Sequence, residues 1–233
     1  FSSCCTSGRA WPYFTFCNTL MALHAFKDPQ LPEGDWGEIP RNIKQKHFKH
    51  VNGLAFVLDN VFSPEECNTI IEWTESFGYV KASLGNGRVV EQVRKSDRCI
   101  IDSDELSQVL FNRIEKFLPK KWNGESLTGL NERLRFLRYY PGGYFKPHGD
   151  GFYEREDKSE RSCLTCQLYL NGGFEGGATT FLPRRREKGP EVPCVPQPGR
   201  VLIFQHELRH EGSLLKSGTK YAVRTDVMYT CSI

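Results

Sequence analysis

The second half of the chain is a succession of short β-prone runs, and this pattern constrains the fold more than any other feature. From Arg133 onward, glycine and proline interrupt the runs at close intervals, and these residues end strands and form tight turns. The runs are RLRFLRYY, CLTCQLYLN, ATTFLP, RVLIFQH and KYAVRTDVMYT, with PGG, NGG, EGG and PG among the breaks. Many short strands joined by such turns predict an all-β barrel or sandwich for this half.

Two helices are predicted ahead of the β-rich half. The letters SPEE at 63–66 combine a serine cap, a proline in the first turn and a glutamate three residues after the cap, and Gly78 is placed to end the helix. A second helix is expected to start at Asp102, with Glu105 completing the same capping pattern, and to continue until Pro119. Apolar residues at helical spacing in both predict that the helices pack on the core.

A length of 233 residues allows a substantial core, and we expect one domain over 51–233 after an N-terminal extension, 1–50. The extension contains several prolines and a basic stretch, RNIKQKHFKH, without a sustained period, so it is predicted to be partly irregular. Its first twenty residues lack a basic start followed by an apolar stretch, so we do not expect a signal peptide, and Met21 is a candidate start.

Composition limits the partners that the chain requires. With 31 basic and 28 acidic residues the formal net charge is only +3, which gives no support to a nucleic-acid partner. No apolar run approaches the roughly twenty residues of a membrane-spanning helix, so no membrane partner is expected. The nine cysteines are odd in number and scattered, which argues against a disulfide framework and favours a reducing, cytoplasmic compartment. The oligomeric state stays open.

Three residues of the β-rich half carry side chains suited to one metal ion. His148 and Asp150 are two residues apart and therefore point to the same side of a strand or strand end. His210 ends another β-run 62 residues later. Two imidazoles and one carboxylate form the facial set that binds Fe(II) while leaving the opposite positions free. Lys220, ten residues after His210, is a candidate cation for the far carboxylate of a bound keto acid.

A different metal chemistry is suggested by HELRH at 206–210, which has the His-Glu-x-x-His spacing of zinc proteases. That motif requires a helix, because only there do residues i and i+4 share a face. The preceding letters, GRVLIF, are β-prone, and Gly212 follows almost at once. After Glu211 no histidine or glutamate remains to serve as third ligand. The protease interpretation therefore stays only as an alternative.

Several further features have two interpretations each. Residues 80–98 and 151–161 are polar, and either is a candidate lid. The basic run 184–186 lies in a proline-bounded loop, where solvation is expected and contact with an acidic substrate is the alternative. Cys163 and Cys166 are three positions apart in a predicted strand and should point to opposite faces, so two ordinary buried thiols are favoured over a metal or redox pair.

The motifs around these residues resemble the prolyl 4-hydroxylase-like branch of the Fe(II)/2-oxoglutarate-dependent dioxygenases over roughly residues 134–229. They are RYYPGGYFKPHGD, LTCQLYLN and GGATTF, together with His210 and Lys220 at the family's spacing. The resemblance implies an α+β, mainly β fold: a double-stranded β-helix, or jelly-roll/cupin-like barrel, with the N-terminal helices packed on one sheet. It also implies that 51–233 is the dioxygenase domain, with its catalytic core at about 130–230.

The resemblance assigns roles residue by residue. His148, Asp150 and His210 would be the Fe(II) ligands, and Lys220 would bind the carboxylate of 2-oxoglutarate. No catalytic residue beyond the metal ligands is implied. The expected co-substrates are 2-oxoglutarate and O2, with ascorbate as an accessory reductant.

Three further residues are candidates for the co-substrate pocket. Tyr169 and Tyr139 match tyrosines that line it in relatives, and their alternative is a core tyrosine with a satisfied hydroxyl. Arg224 departs from the family pattern and shares a strand face with Lys220. It is a candidate for the same carboxylate, for a substrate contact or for pairing with a neighbouring acid. We prefer Lys220 for the carboxylate.

The resemblance implies hydroxylation of an organic substrate with release of succinate and CO2. A prolyl residue in a peptide or protein is the favoured target, while a small molecule such as a free amino acid stays open because substrate selection depends on loops. The alternative from another class is a non-catalytic β-helix module that binds a ligand or protein. Loss of a metal or co-substrate position would indicate such a module, and none of the four expected positions is lost.

Overall fold

The computed structural model describes residues 25–84 and 87–231. The candidate start at Met21 and the other expectations for residues 1–24 lie outside this part of the chain. Two α-helices precede the β-rich half, α1 (Pro64–Phe77) and α2 (Asp104–Ile114), and a 3-10 turn (Glu115–Phe117) follows α2. Neither helix of the described chain is long and apolar enough to cross a membrane.

The described residues form eighteen strands, most of them short. In chain order these are β1 (Phe26–Lys27), β2 (Lys44–His47), β3 (Ala55–Asp59), β4 (Val80–Lys81), β5 (Arg94–Lys95), β6 (Asp97–Asp102), β7 (Lys121–Trp122), β8 (Glu125–Leu130), β9 (Arg133–Tyr139), β10 (Tyr144–His148), β11 (Glu160–Tyr169), β12 (Glu175–Gly176), β13 (Thr179–Phe181), β14 (Val192–Cys194), β15 (Val201–Gln205), β16 (His210–Gly212), β17 (Leu215–Ser217) and β18 (Lys220–Thr230).

Two facing sheets make the predicted jelly-roll. The major sheet has the order β1-β6-β9-β18-β11-β15-β3-β2, with β4, β7 and β8 attached to it, and the minor sheet has the order β14-β13-β16-β10-β5. Apolar side chains from both sheets meet between them, including Phe181 of the minor sheet and Phe204 and Tyr169 of the major sheet. The mainly β, double-stranded β-helix architecture predicted from the sequence is therefore confirmed.

The register of the major sheet decides which side chains face the minor sheet. Strand β18 pairs with β9 on one side and β11 on the other, which sets Lys220 opposite Tyr139, and Arg224 opposite both Arg135 and Gln167. Directly paired residues of antiparallel strands point to the same face, and side chains alternate along each strand. The predicted shared face of Lys220 and Arg224 is thus the inner face of the barrel.

Both helices pack on the outer face of the major sheet, where they close the larger apolar core. Helix α1 begins and ends as predicted: the Ser63 side chain accepts from the backbone N–H of Glu66, the Glu66 side chain accepts from the backbone N–H of Ser63, and Gly78 follows Phe77. This reciprocal capping satisfies two N–H groups that a helix start otherwise leaves without partners.

The predicted start and end of the second helix were wrong. Its cap is Ser103, whose hydroxyl accepts from the backbone N–H of Leu106, whereas the Asp102 carboxylate is bound to the Arg133 guanidinium at 2.9 Å. The α-helix also ends at Ile114 and tightens into a 3-10 turn before Pro119. Cross-sheet pairing of Asp102 outweighed its local capping preference.

Parts of the N-terminal extension belong to the sheet. Strand β1 pairs in parallel with β6, and β2 pairs with β3, so the extension contributes the two outermost strands of the major sheet. The described residues between β1 and β2 contain no helix or strand. The boundary predicted at residue 50 therefore stays a prediction.

The two cysteines of β11 lie on the same side of the strand, contrary to expectation. The pairing of β11 with β18 is irregular between Ser162 and Leu164, and Cys163 packs on the same outer core as Cys166. A β-bulge of this kind adds a residue and reverses the alternation. Both thiols are free, and burial raises both pKa values, that of Cys166 most strongly.

Candidate metal centre and active site

His148, Asp150 and His210 converge at one end of the minor sheet. His148 ends β10, Asp150 follows it by two residues, and His210 begins β16, which pairs with β10 so that the two histidines stand opposite each other. One nitrogen or oxygen atom from each of the three side chains lies within 4.8 Å of the others. Pairing of two strand ends therefore brings together residues that are 62 positions apart in the sequence.

Backbone carbonyls orient both imidazole rings. The Nδ1 of His148 donates to the carbonyl of Lys146, and the Nδ1 of His210 donates to the carbonyl of Leu208, each at 2.8 Å. These bonds leave the Nε2 lone pair of each ring directed at Asp150, whose oxygens lie 3.7 Å from His148 Nε2 and 3.8 Å from His210 Nε2. Such separations exceed hydrogen-bond length and suit three ligands around one cation.

The Asp150 carboxylate is held ionised by its surroundings. Thr165 Oγ1 donates to it at 2.7 Å, and the Arg224 guanidinium lies 3.2 Å away. Burial by itself would raise the pKa of Asp150, but the charges of Arg224 and His210 and the Thr165 hydrogen bond hold that pKa well below its usual range. A carboxylate that stays charged without a bound cation is ready to bind one.

The zinc-protease motif at 206–210 does not form its helix. Residues 206–209 make a turn between β15 and β16. Both ring nitrogens of His206 are hydrogen-bonded, Nε2 with Ser162 at 2.9 Å and Nδ1 with Thr165 at 2.8 Å. His206 therefore supports Thr165, which in turn supports Asp150, and it offers no free nitrogen to a metal.

The surroundings of His148 strongly lower its pKa. Burial, followed by the neighbouring His210, lowers the pKa of His148 to about 4 from the usual 6.5. Between pH 6.5 and 4 the unfolded chain therefore takes up a proton at this position that the folded chain does not, so acidification destabilises the metal-free fold.

The free energy of unfolding of the metal-free protein should fall between pH 7 and pH 5. We expect this fall to be about 2 kcal/mol smaller in His148→Gln than in the wild type. Urea unfolding in the presence of a chelator at both pH values measures this loss. His47→Gln, on the exposed edge strand β2, is the matched control and should leave the loss unchanged. An equal loss in wild type and His148→Gln would contradict the prediction.

Lys220 is a buried cation on the inner face. Its Nζ donates to the carbonyl of Gly177 at 2.6 Å and lies 5.2 and 5.4 Å from the ring centres of Tyr139 and Tyr169. Burial lowers the pKa of Lys220 to about 8. Among the residues that the structure describes, no carboxylate pairs with this ammonium group, so an anion entering the cavity would compensate a desolvated charge.

The two candidate tyrosines flank Lys220 and are both buried. The Tyr169 hydroxyl donates to Thr179 Oγ1 at 2.8 Å, and Gln167 Nε2 donates to the same oxygen at 3.0 Å. Tyr169 thus has the satisfied hydroxyl of a core tyrosine and also presents its ring to Lys220. Tyr139 lies directly across the strand pair from Lys220 and lines the same cavity as the metal cluster.

Arg224 is already paired with acids. Its Nε lies 3.2 Å from Asp150, and its Nη2 donates to Asp226 Oδ1 at 3.0 Å. Of the three roles considered for Arg224, pairing with a neighbouring acid is the one that the geometry displays.

Three arginines that were not singled out in the sequence line the same cavity: Arg94, Arg98 and Arg135. Arg94 and Arg98 fall within 80–98, a stretch considered as a lid, which in fact contributes β4, β5 and the start of β6. No periodic pattern marked that stretch as strand. Arg135 could have been found, because period two places it on the same face as Tyr139.

A larger cavity, of about 480 Å³, lies between the 182–190 loop, residues 50–52 and residues 205–209, whereas the cavity at the metal cluster is about 70 Å³. None of the three candidate ligands lines the larger one, so it is not the metal site. Arg184 and Arg185 border it and are exposed, as is Arg186, which confirms the solvation predicted for this loop.

The fold and the cluster together define a class of protein: a double-stranded β-helix with a two-histidine, one-carboxylate site of the Fe(II) oxygenase type. Residues 134–225 match the model of the 2OG-Fe(II) oxygenase superfamily. This part of the chain is therefore similar to that superfamily, and among its members to the prolyl 4-hydroxylases.

Individual proteins are similar to this chain in sequence or in fold. Prolyl 4-hydroxylase 1 of Arabidopsis thaliana is 29% identical over 135 residues, which are 54% of this chain and 45% of that protein, so this chain spans less than half of the relative's length. A prolyl hydroxylase from Trichoplax adhaerens, solved with a peptide fragment of the hypoxia inducible factor oxygen degradation domain, has a TM-score of 0.59 at 20% identity over 77% of this chain and 84% of that one. The collagen prolyl hydroxylase of Paramecium Bursaria Chlorella virus-1 has a TM-score of 0.55 at 20% identity over 77% and 98%.

The superfamily implies Fe(II), 2-oxoglutarate and O2, and the described residues fit them. Two imidazole nitrogens and one ionised carboxylate are a donor set for Fe(II). A buried ammonium group on the same inner face suits the far carboxylate of a keto acid.

Proposed function

We propose that this chain is an Fe(II)- and 2-oxoglutarate-dependent dioxygenase that hydroxylates a prolyl residue of a peptide or protein and releases succinate and CO2. The observation that carries the proposal is the convergence of His148, Asp150 and His210 within 4.8 Å in a cavity that also contains Lys220. Domain bounds of 51–233 are part of the proposal.

Each residue has a role in this assignment. His148 Nε2, His210 Nε2 and an Asp150 oxygen bind the metal, and Lys220 binds the far carboxylate of 2-oxoglutarate. Iron with bound 2-oxoglutarate supplies, in reaction with O2, the oxidising power that converts a substrate C–H bond into C–OH.

Other residues of the chain position the three metal-binding side chains and exclude water from the site. The Lys146 and Leu208 carbonyls hold the imidazole tautomers, and Thr165 and Arg224 hold the Asp150 carboxylate. Phe145 stacks on His148 with ring centres 3.6 Å apart, which covers that ligand with an apolar surface. A preorganised, partly apolar site of this kind keeps the reaction from bulk solvent.

The prolyl target is supported by the relatives. The Arabidopsis, Trichoplax and viral proteins are all prolyl hydroxylases, and the Trichoplax enzyme was solved with a peptide. This chain keeps a residue of the expected type at all four metal and co-substrate positions, so the non-catalytic module has no observation in its favour.

Anaerobic titration of the purified protein with Fe(II) and then 2-oxoglutarate tests the proposal. We expect the visible charge-transfer band of the chelate, and, once air and ascorbate are added, slow release of succinate even without a prolyl substrate. A proline-containing peptide should then increase succinate release and gain one oxygen atom by mass spectrometry. Absence of both the band and succinate release would support the non-catalytic binding module instead.

A further inference from the structure

Three arginines gather at the mouth of the candidate active site, on strands that belong to different parts of the chain. Arg94 lies on β5, Arg98 on β6 and Arg135 on β9, and all three line the cavity that contains His148 and Asp150. Arg94 and Arg98 lie outside the residues that match the superfamily model.

Arg94 packs on the aromatic ring that covers His148, a candidate metal ligand. Its guanidinium lies 4.7 Å from the ring centre of Phe145, and Phe145 stacks on His148. One of its N–H groups, on Nε, donates to Ser96 Oγ at 2.9 Å. Within the described chain the other donors of Arg94 make no hydrogen bond or ion pair, so they are available to a ligand in the cavity.

The arginines also affect one another. Burial lowers the pKa of Arg98 to about 10, and the charges of Arg94 and Arg135 add to this shift. Arg135 is half-buried and pairs with Asp226, which also pairs with Arg224. Like charges gathered in a partly buried site repel each other, and a bound anion relieves that repulsion.

Lys220 and Arg135 lie at different positions along the cavity. Arg135 is paired with Arg224, which is four residues from Lys220 along β18. At the rise of an extended strand the Cα atoms of Lys220 and Arg224 are about 13 Å apart. A carboxylate held by Lys220 therefore leaves Arg135 for a second anion, and Arg94 and Arg98 line the same cavity.

We propose that Arg94, Arg98 and Arg135 form a subsite that binds a carboxylate of the substrate and so determines which prolyl residues are accepted. A guanidinium group binds a carboxylate through two parallel N–H donors, which fixes orientation as well as charge. The carboxylate comes either from an acidic side chain next to the target proline or from the α-carboxylate of a C-terminal or free proline. This inference rests on the proposed function, because it concerns the substrate of the same site.

Matched peptide pairs test the subsite in the metal-free protein. In the first pair, capped tetrapeptides carry either Asp or Asn immediately before proline, and in the second pair they carry either Asp or Asn immediately after it. In the third pair, a peptide that ends in proline has either a free or an amidated C-terminal carboxyl group. We expect the acidic member of at least one pair to bind about tenfold more tightly by calorimetry, with the preference falling as salt is added. The pair that shows the preference identifies the source of the carboxylate.

Substitutions test whether the arginines cause the preference for the acidic peptide. Arg94→Gln and Arg98→Gln should each reduce it at least threefold, whereas Lys95→Gln removes the same charge from the exposed neighbouring residue of β5 and should leave it unchanged. Equal affinities within every pair, no binding of any peptide, or a preference that survives both arginine substitutions would overturn the subsite.

Failure of the arginine subsite and failure of the dioxygenase assignment give different results. A normal Fe(II)/2-oxoglutarate band with no acidic preference overturns the subsite alone. A clear acidic preference in a protein that never forms the band overturns the dioxygenase assignment and retains an anion-binding cavity.

Discussion

Replacing His210 with alanine is expected to abolish the absorption band that Fe(II) and 2-oxoglutarate form with this protein, whereas His206→Gln retains it. Both histidines are buried and belong to the same HELRH segment, so the pair is well matched. They differ in what their ring nitrogens contact. His210 directs Nε2 at Asp150, while both nitrogens of His206 are hydrogen-bonded to hydroxyl groups.

The expected effects differ in size. Loss of one of three protein ligands should weaken Fe(II) binding by well over about 100-fold, since substitution of outer partners alone costs about 10- to 100-fold. His206 is such an outer partner, acting on Asp150 through Thr165, so His206→Gln should fall within or below that smaller range. Anaerobic Fe(II) titration measures both affinities, and circular dichroism confirms that both variants fold.

Equal losses of Fe(II) affinity in the two variants would indicate a different metal site. If His206→Gln lost metal binding as completely as His210→Ala, the two histidines of HELRH would act together as ligands. The turn at 206–209 and the hydrogen bonds of His206 would then not describe the metal-bound protein.

Part of the convergence of His148, Asp150 and His210 was predictable from local signals. His148 and Asp150 share a side through strand alternation, and His210 was marked by the β-run that it ends. The pairing of β10 with β16 was not encoded in any local pattern, yet the family spacing substituted for it. Strand periodicity likewise gave the shared inner face of Lys220 and Arg224.

The features that sequence reasoning missed depend on contacts between distant segments. Asp102 looks like a helix cap, but Arg133 takes its carboxylate across the sheet. Arg94 and Arg98 lie in a polar stretch without period, and strand β5 exists only because β10 offers it a partner. Short edge strands of two residues leave too little pattern to be recognised. The bulge at Cys163 was missed for the same reason, since it arises from the pairing with β18.

Arg224 links Asp150, a candidate metal ligand, to the rest of the inner face. It lies between Asp150 and Asp226, so it stabilises the charge of one acid while being neutralised by the other. Its guanidinium stays protonated over the working pH range, which keeps this support constant. Lys220 has a pKa of about 8 and therefore loses its charge at mildly basic pH. The pH dependence of binding can therefore distinguish the role of Lys220 from that of Arg224.

Replacing Lys220 with methionine should weaken 2-oxoglutarate binding by at least about 30-fold, because truncating one partner of a buried charge pair costs about 2 kcal/mol or more. The free protein should lose no more than about 1 kcal/mol of stability, since only the hydrogen bond to Gly177 disappears and a buried charge disappears with it. Arg224→Gln should change 2-oxoglutarate affinity much less, and its effect should fall on Fe(II) binding through Asp150.

The pH dependence gives an independent check on Lys220. The pKa of Lys220 in the free protein is about 8, and the dianion needs the protonated amine. Below pH 8 the affinity for 2-oxoglutarate should be flat, and above it the affinity should fall, by up to about tenfold per pH unit. Anaerobic titrations between pH 7 and 9, followed by the chelate band, measure this fall, and Lys220→Arg should abolish it because arginine stays charged. If wild type shows no fall, or if Arg224→Gln weakens 2-oxoglutarate binding more than Lys220→Met does, then Arg224 binds the carboxylate and our preference for Lys220 is wrong.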